Sequence, residues 1–368
     1  MKKIALYILC LALVSNISFG QNDIKDYFLK NSLNLNDNNS INDSNNLELL
    51  KYDAFFLGEN HDSKKTTVME MFFIDILKYK VSNIFYECPV SFYYPIQELM
   101  MKPTIDTLSV DFVYATGNIE EEILLRHLYR QNINRADSLK YHLYPIDYVP
   151  IPAIDIGNTL WLFRKKPKFG QLKKGYAILI QMQKDSIKYK NKDSLLLKYL
   201  HFRDNFEASK PKYKKYLKYN FPEMEKDLNG IYNYYLVKND DTTGRCFSNF
   251  REEFMCENIV DELKESKSDK FISINGAFHT LLKIEESWDF RTWESLASKF
   301  KKKNLDTKVC SIYFMDKEVD DLGEDYFPDE KKLIYNNIKP GETYLIRLDG
   351  ENTPFKDLSE KFQYIVAW

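Results

Sequence analysis

Apolar runs that stop abruptly in charged or histidine residues recur along this chain. Phe55-Phe56-Leu57 runs into Gly58-Glu59-Asn60-His61-Asp62, Ile84-Phe85-Tyr86 into Glu87, Leu143 to Ile146 into Asp147, and Phe271 to Ile274 into Asn275-Gly276-Ala277-Phe278-His279. Short uninterrupted runs of this kind read as buried strands. After the first, Asp62 or Ser63 is placed to cap a helix reaching about Lys80, with Val68, Met71, Phe72, Asp75, Ile76 and Tyr79 at helical spacing and the aspartate as the one polar residue in that stripe. Strand Ala54 to Leu57, this helix and strand Asn83 to Tyr86 make a crossover unit, so the two strands run parallel. The expected fold class is α/β, a mostly parallel central sheet flanked by helices. Its polar strand ends would meet along one edge, where open α/β sheets bind ligands.

The remaining pattern extends this plan. A helix is expected around Glu120 to Asn134, with Ile123, Leu124, Leu128 and Tyr129 on one face, and Tyr141 to Ile146 as the third strand. Gly157 to about Leu236 is Lys- and Tyr-rich, broken at Pro167, Pro211 and Pro222, with helical spacing in Leu195, Leu196, Tyr199 and Leu200. It is too long for a plain connection and reads as a helical insertion, at about 157–240, that would lid the edge. Arg251 to Leu263 resumes an amphipathic helix through Phe254, Met255, Ile259, Val260 and Leu263. Val309 to Phe314 is a further strand, preceded by a helix containing Trp293, Leu296 and Phe300; Tyr344 to Leu348 and Tyr364 to Trp368 are short strands without an assigned partner.

Lys2 and Lys3, the apolar run Ile4 to Val14 and then Ser18-Phe19-Gly20 form the order of a cleavable export signal, with cleavage expected after Gly20. Cys10 lacks the preceding small residues of a lipid-attachment site. No later stretch is long and apolar enough for a transmembrane segment, so the mature protein is expected in the periplasm or secreted. The organisation is then 1–20 signal, 21–50 an Asn/Ser-rich disordered linker, 51–316 the α/β domain with its insertion, and 317–368 a C-terminal extension.

With 52 basic and 54 acidic residues the charge is nearly balanced, which argues against a nucleic-acid binder. Cys88, Cys246, Cys256 and Cys310 are too few for a disulfide scaffold. Whether Cys246 and Cys256 bridge is left open, and Cys88 reads as a small buried hydrophobe rather than a nucleophile.

The chain has no Gly-x-Ser-x-Gly, no His-Glu-x-x-His, no phosphate loop and no dinucleotide glycine pattern, which disfavours serine hydrolases, zincins, NTPases and dehydrogenases. There remain His61 and His279, each three residues after a glycine, with Glu59, Glu87 and Asp147 at strand ends. A histidine beside carboxylates is suited to take a proton from water, with a second imidazole or Arg251 stabilising the oxyanion. Two imidazoles and one or two carboxylates also suffice to hold Zn²⁺, Mn²⁺ or Fe with an open position for water. Each signal alone is no more than an ordinary turn or helix cap would give; their joint recurrence at strand ends singles them out.

Leu57-Gly58-Glu59-Asn60-His61-Asp62 with Glu87 after the next strand resembles the opening of the superfamily that joins the erythromycin esterases, the ChaN-like haem-binding lipoproteins and the TraB/Tiki proteins. Leu125 to Asn132 leading to Tyr144-Pro145-Ile146-Asp147 is similar to a helix and strand of the esterase branch, and Arg251 to Ile259 followed by Gly276-Ala277-Phe278-His279 to that group's arginine helix and second histidine. The resemblance spans roughly Phe55 to His279. Glu59 and His61 stand one residue apart, as in the ChaN-like and TraB-like branches, and Gly276 to His279 is also closer to those. Lys64 and Lys65 stand where the esterases carry an arginine, so the branch stays open.

The esterase branch implies His61 as general base, Glu59 and Glu87 orienting and charging it, His279 and Arg251 steadying the oxyanion, and Asp147 in support. The substrate would be an ester or amide of a small molecule. The TraB/Tiki branch implies instead a metal-dependent peptidase with His61, Glu59, Glu87 and His279 as ligands to a divalent ion. The ChaN-like branch implies haem or iron binding without catalysis. His127, His142 and His201 carry no such context and read as structural or solvated. Oligomeric state is not indicated.

Overall fold

The computed structural model describes residues 23–36, 48–61, 63–100, 119–148, 152–188, 192–240, 245–266, 268, 270–283, 285–286, 292–319 and 327–368. The export segment and Asp62 lie outside the described residues. The first part of the chain forms β1 (Ser32–Asn34), β2 (Ala54–Glu59), α1 (Lys64–Ile76), β3 (Asn83–Pro89), α2 (Tyr93–Met100), α3 (Ile119–Ile133) and β4 (His142–Asp147). Helices come next: α4 (Pro152–Leu162), α5 (Gly170–Lys188), α6 (Lys192–Ala208), α7 (Lys210–Leu217), α8 (Phe221–Asp240) and α9 (Arg245–Ser266). The remainder forms β5 (Phe271–Gly276), β6 (Glu285–Glu286), β7 (Thr292–Trp293), α10 (Leu296–Lys303), β8 (Val309–Met315), α11 (Pro328–Asn337), β9 (Tyr344–Arg347), α12 (Lys356–Lys361) and β10 (Tyr364–Ala367).

The apolar runs assemble as expected into one mixed, mostly parallel sheet of eight strands, in the order β1-β9-β10-β8-β2-β5-β3-β4. From β10 to β4 every pairing is parallel, and only β9 and β1 add antiparallel edges. Alternation in β2 sends Phe55 and Leu57 into one core with Phe73, Ile74, Leu124 and Leu128. Ala54 and Phe56 enter another with Met255, Ile259, Leu296 and Phe300. Helices on both faces bury both sets, which is why the strands show no polar alternation. Register pairs Glu59 with Gly276, so the ends of β2 and β5 lie side by side. β3 shifts register against β4 between Tyr86 and Pro89, at Glu87. Such a bulge re-aims a side chain at the end of a strand.

The insertion is helical, as expected, and has a core of its own that includes Phe202, Phe206, Tyr213 and Met224. Pro211 and Pro222 stand in the first turns of α7 and α8, where a missing N–H is tolerated. α8 packs tightly on the segments just beyond β3 and β4 and on α9: a Cβ on Gly230 would sit 3.5 Å from Phe254 and Tyr148 and 3.6 Å from Val90.

Several expectations need correction. The buried face of α1 is formed by Thr66, Thr67, Met69, Glu70, Phe73 and Ile74, whereas Val68 is 50% and Tyr79 87% exposed. Apolar residues occupy more than one face of this helix, so spacing alone does not choose among them, and a glutamate inside the core was not anticipated. Asp75 faces α3, accepting from Gln131 at 3.1 Å and lying 2.9 Å from His127 Nε2. Ser63 stands at the helix start without capping it, since its hydroxyl donates to Asp316 instead. On α3, Ile123 is exposed and Leu125 is buried in its place. Trp293 belongs to the ribbon of β6 and β7, not to a helix.

Residues 23–31 form a helix leading into β1, so this part of the presumed linker is folded; residues 37–47 lie outside the described residues. Its apolar anchors explain the difference: Tyr27 and Phe28 both meet Phe355 edge-on at 5.8 Å. The tail is likewise part of the sheet, with β10 beside β8. Cys256 is free and buried, so no bridge to Cys246 forms. Ten positions apart on one helix, the two are separated by about 15 Å along its axis, well beyond the reach of a disulfide. Among the described residues no helix is long and apolar enough to cross a membrane.

The corrected face of α1 is testable. Ile74→Ala is expected to lower stability by about 2–5 kcal/mol, as for emptying a packed aliphatic site, and Val68→Ala by less than about 0.5 kcal/mol. Denaturant titration of both variants measures this, and the opposite ranking would restore the face read from spacing.

Candidate active site

A parallel sheet carries its polar strand ends to one side, and the six residues expected there do converge. Glu59 ends β2, and its Oε1 lies 3.1 Å from His61 Nδ1. Asn60, between them, is fully buried and points the other way, donating to the carbonyls of Phe314 at 2.8 Å and Val319 at 3.0 Å. Anchoring that amide fixes the turn, so that Glu59 and His61 share one side. His61 is the open member of the group, its side chain 57% exposed.

Glu87, at the bulge in β3, is the hub. Its Oε2 accepts from the backbone N–H of Gly276 at 2.7 Å, while Oε1 lies 3.1 Å from His279 Nε2 and 2.5 Å from Arg251 Nη2. Arg251, on α9, also grips Asp147 with two prongs, Nε to Oδ1 at 3.0 Å and Nη2 to Oδ2 at 2.7 Å. His279, in the turn Ala277–Thr280 after β5, brings Nδ1 to 2.6 Å from Glu252 Oε1. The other oxygen of Glu252 accepts from Leu296 N–H at 2.7 Å, at the start of α10.

Two glycines make this approach possible. A Cβ on Gly276 would stand 2.7 Å from His61 Nε2 and 3.6 Å from Glu87 Oε2, so His61 lies over the backbone of β5 at the same point as Glu87. A Cβ on Gly58 would stand 2.5 Å from Thr280 Oγ1 and 3.2 Å from Ala277 Cα, in the turn that carries His279. Both glycines are thus explained by close approach of backbone.

The electrostatics arise from burial and pairing. For His279 burial opposes the charge, but Glu252 and Glu87 outweigh it and push the imidazole up to about 10, so it is a cation at neutral pH. Burial would raise the Glu87 carboxyl, yet His279, Arg251 and the Gly276 N–H hold it far below the usual carboxylate range. Two cations and three carboxylates therefore form one buried network in which every ion has an oppositely charged partner, with one negative charge in excess.

Two acids belong to the site that spacing did not indicate. Glu252 follows Arg251 directly on α9, and only the fold shows that the pair straddles His279. Glu70, on the buried face of α1, lies against Glu59; burial and that neighbouring carboxylate push its own carboxyl well above the usual range. A glutamate set between Met69 and Met71 was the available signal. Cys88 is buried and its thiol is pushed far up by burial, which removes it as a nucleophile. His127 pairs with Asp75, His142 stacks on Tyr144 and His201 is exposed on α6.

The ligand set implied by the metal-dependent branch does not fit this arrangement. Glu87 is already bonded by Arg251, His279 and Gly276, and a divalent ion beside His279 Nε2 would meet the Arg251 guanidinium, whose Nη1 lies 3.3 Å from that nitrogen. Among the described residues no group of three or more His, Cys, Asp and Glu is disposed to hold a metal.

No protein-family model matches the chain, and no curated protein matches its sequence. Solved structures share its fold. A Bacillus cereus protein is 14% identical with a TM-score of 0.65, over 94% of this chain and 97% of that one. A succinoglycan biosynthesis protein is 12% identical with a TM-score of 0.62, over 94% and 96%. A mutant of the erythromycin esterase EreC in its open conformation is 13% identical with a TM-score of 0.58, over 88% and 93%. The chain thus has the fold expected from the resemblance, and at these identities the likeness is one of fold.

The Glu59 and Glu70 pair makes a prediction about pH. A carboxyl whose folded pKa is raised favours folding below its unfolded value, about 4.3, and opposes folding as pH climbs above it. Glu70→Gln keeps a donor toward Glu59 and cannot ionise. Its melting temperature relative to the parent chain should therefore rise between pH 4 and pH 8 in calorimetric scans. A constant difference across that range would show that Glu70 is not held protonated.

Proposed function

We propose that this chain is a hydrolase acting on an ester or amide bond of a small molecule, with His61 as the general base on water. The observation that carries this is the geometry of His61: exposed, with Nδ1 at 3.1 Å from Glu59 Oε1 and Nε2 over Gly276 beside Glu87. A carboxylate at Nδ1 fixes the tautomer that bears its proton there, which leaves Nε2 to accept one from water. Glu87, held ionised, lies where it stabilises the imidazolium that forms. The likeness of fold to an erythromycin esterase supports the same reading.

Arg251 and His279 enter this mechanism through Glu87. Their N–H groups are already directed at Glu87, Asp147 and Glu252, so they position the carboxylate and supply positive potential behind the reacting carbonyl. Asp147 holds the guanidinium in plane. Export to the periplasm or beyond is part of the proposal and rests on the charged, apolar and small-residue order of Met1 to Gly20.

The test is turnover of a panel of small-molecule esters and amides by the full mature chain. Loss of a general base should lower kcat/KM of His61→Ala by at least about a hundredfold. Gly276→Ala, whose new methyl occupies the place of the His61 ring, should lose activity in the same way while melting close to the parent chain. Full activity in His61→Ala would refute the reading. A Soret band on haem addition that is lost in His61→Ala, without turnover of any ester, would favour haem binding instead.

A further inference from the structure

The edge that carries His61 does not end at β2. Beyond it lies a cavity of about 660 Å³, bounded by the residues just after β2, β8 and β10 and by the end of α11. Its wall includes Lys64, Lys65, Lys317 and Lys339, together with Tyr335 and Trp368. Among the described residues of the wall the carboxylates are Asp316 and Glu318. Asp316 is already engaged, accepting from the Ser63 hydroxyl and, at 2.9 Å, from the Glu318 N–H. Lys339 lies 3.7 Å from Glu342, and the charge of Lys65 helps to hold Asp316 below the usual carboxylate range, whereas Lys64 and Lys317 make no ion pair with a carboxylate among the described residues.

Two further features sharpen the ligand chemistry. Lys64 and Lys65 open α1, a helix of 13 residues, whose positive dipole end adds to the lysine potential. Among its described residues the wall holds ammonium groups and no guanidinium, and clustered point charges suit a compact dianion better than a planar carboxylate. The remaining wall is apolar and aromatic, with Lys65 Nζ 5.7 Å from the centre of the Trp368 ring. The ammonium thus lies over the ring, so a cation and a flat aromatic surface adjoin at this point of the wall. The volume is that of a small-molecule site.

We propose that this cavity binds a phosphorylated small molecule bearing a flat ring, the phosphate among Lys64, Lys65 and Lys317 and the ring against Trp368 and Tyr335. The proposal does not depend on the hydrolytic reading, because none of these residues takes part in it.

Calorimetric titration of the full mature chain with phenyl phosphate, inorganic phosphate and phenol tests it. His61→Ala serves as host, so that turnover cannot complicate the binding heats. Phenyl phosphate should bind at least about tenfold tighter than either fragment, a difference of about 1.4 kcal/mol. The Lys65→Ala, Lys317→Ala double variant should lose about tenfold for phenyl phosphate and for phosphate alone, both lysines being exposed and uninvolved in the core. Trp368→Ala should weaken phenyl phosphate and leave inorganic phosphate unchanged, and raised salt should weaken both phosphates. Unaltered affinity in the double lysine variant, or no measurable heat with phenyl phosphate in the host, would overturn the proposal. Equal affinity for phosphate and phenyl phosphate would overturn its ring component and with it the substrate class named.

Discussion

Glu87 is a carboxylate taken out of water at the end of a strand, and a charge in that position persists only when oppositely charged and hydrogen-bonding groups replace its hydration. Arg251, His279 and the Gly276 N–H do so, and each creates a further demand. Arg251 needs Asp147, and His279 needs Glu252, which is in turn tied to the start of α10. Satisfying one ion thus binds β3, β4, β5 and α9 into one arrangement. Removing either partner of a buried pair typically costs about 3–5 kcal/mol, because it strands the other charge. The network is accordingly a structural element as much as a chemical one, and it is rigid for the same reason that it is expensive to break.

This rigidity suits the role proposed for His61. Glu87, Asp147, Arg251, Glu252 and His279 are committed to one another, whereas His61 meets Glu59 through Nδ1 and has a side chain that is 57% exposed. Glu59 is itself backed by Glu70, whose carboxyl is pushed toward its protonated form, so the base rests on a carboxylate that has an acid behind it. A base needs freedom to gain and lose a proton; its surroundings need not to move when it does. The division between an exposed imidazole and an immobilised charged floor meets both requirements.

The parallel sheet and the convergence of His61, Glu59, Glu87, Asp147, Arg251 and His279 were legible because strand ends in such a sheet are marked by where apolar runs stop. The two glycines were legible as well, although their cause, the approach of backbone to a neighbouring turn or ring, emerges only in three dimensions. Glu70 was missed because α1 is apolar on more than one face, so helical spacing fits several stripes, and the stripe through Asp75 fits as well as the buried one through Glu70. Glu252 was missed because adjacent residues on a helix point about 100° apart, and nothing in the chain reveals that a histidine would stand between them. The folding of residues 23–36 was masked by a polar run, whereas a few aromatic side chains suffice to anchor a short segment once a groove exists to receive them.

Strand order gives the edge its division of labour. β2 is central, with β5, β3 and β4 to one side and β8, β10 and β9 to the other. On the first side the strand ends are acidic and are neutralised internally by Arg251 and His279. On the second, Lys64, Lys65 and Lys317 come after the strands, and among the described residues none of the three makes an ion pair within 4 Å, although Lys65 acts on Asp316. An edge built this way holds a potential gradient from one half to the other, and the turn after β2, carrying His61 and then Lys64 and Lys65, spans the boundary. The two proposals place a polarised carbonyl on the first side and an anion on the second, so they do not compete for the same groups.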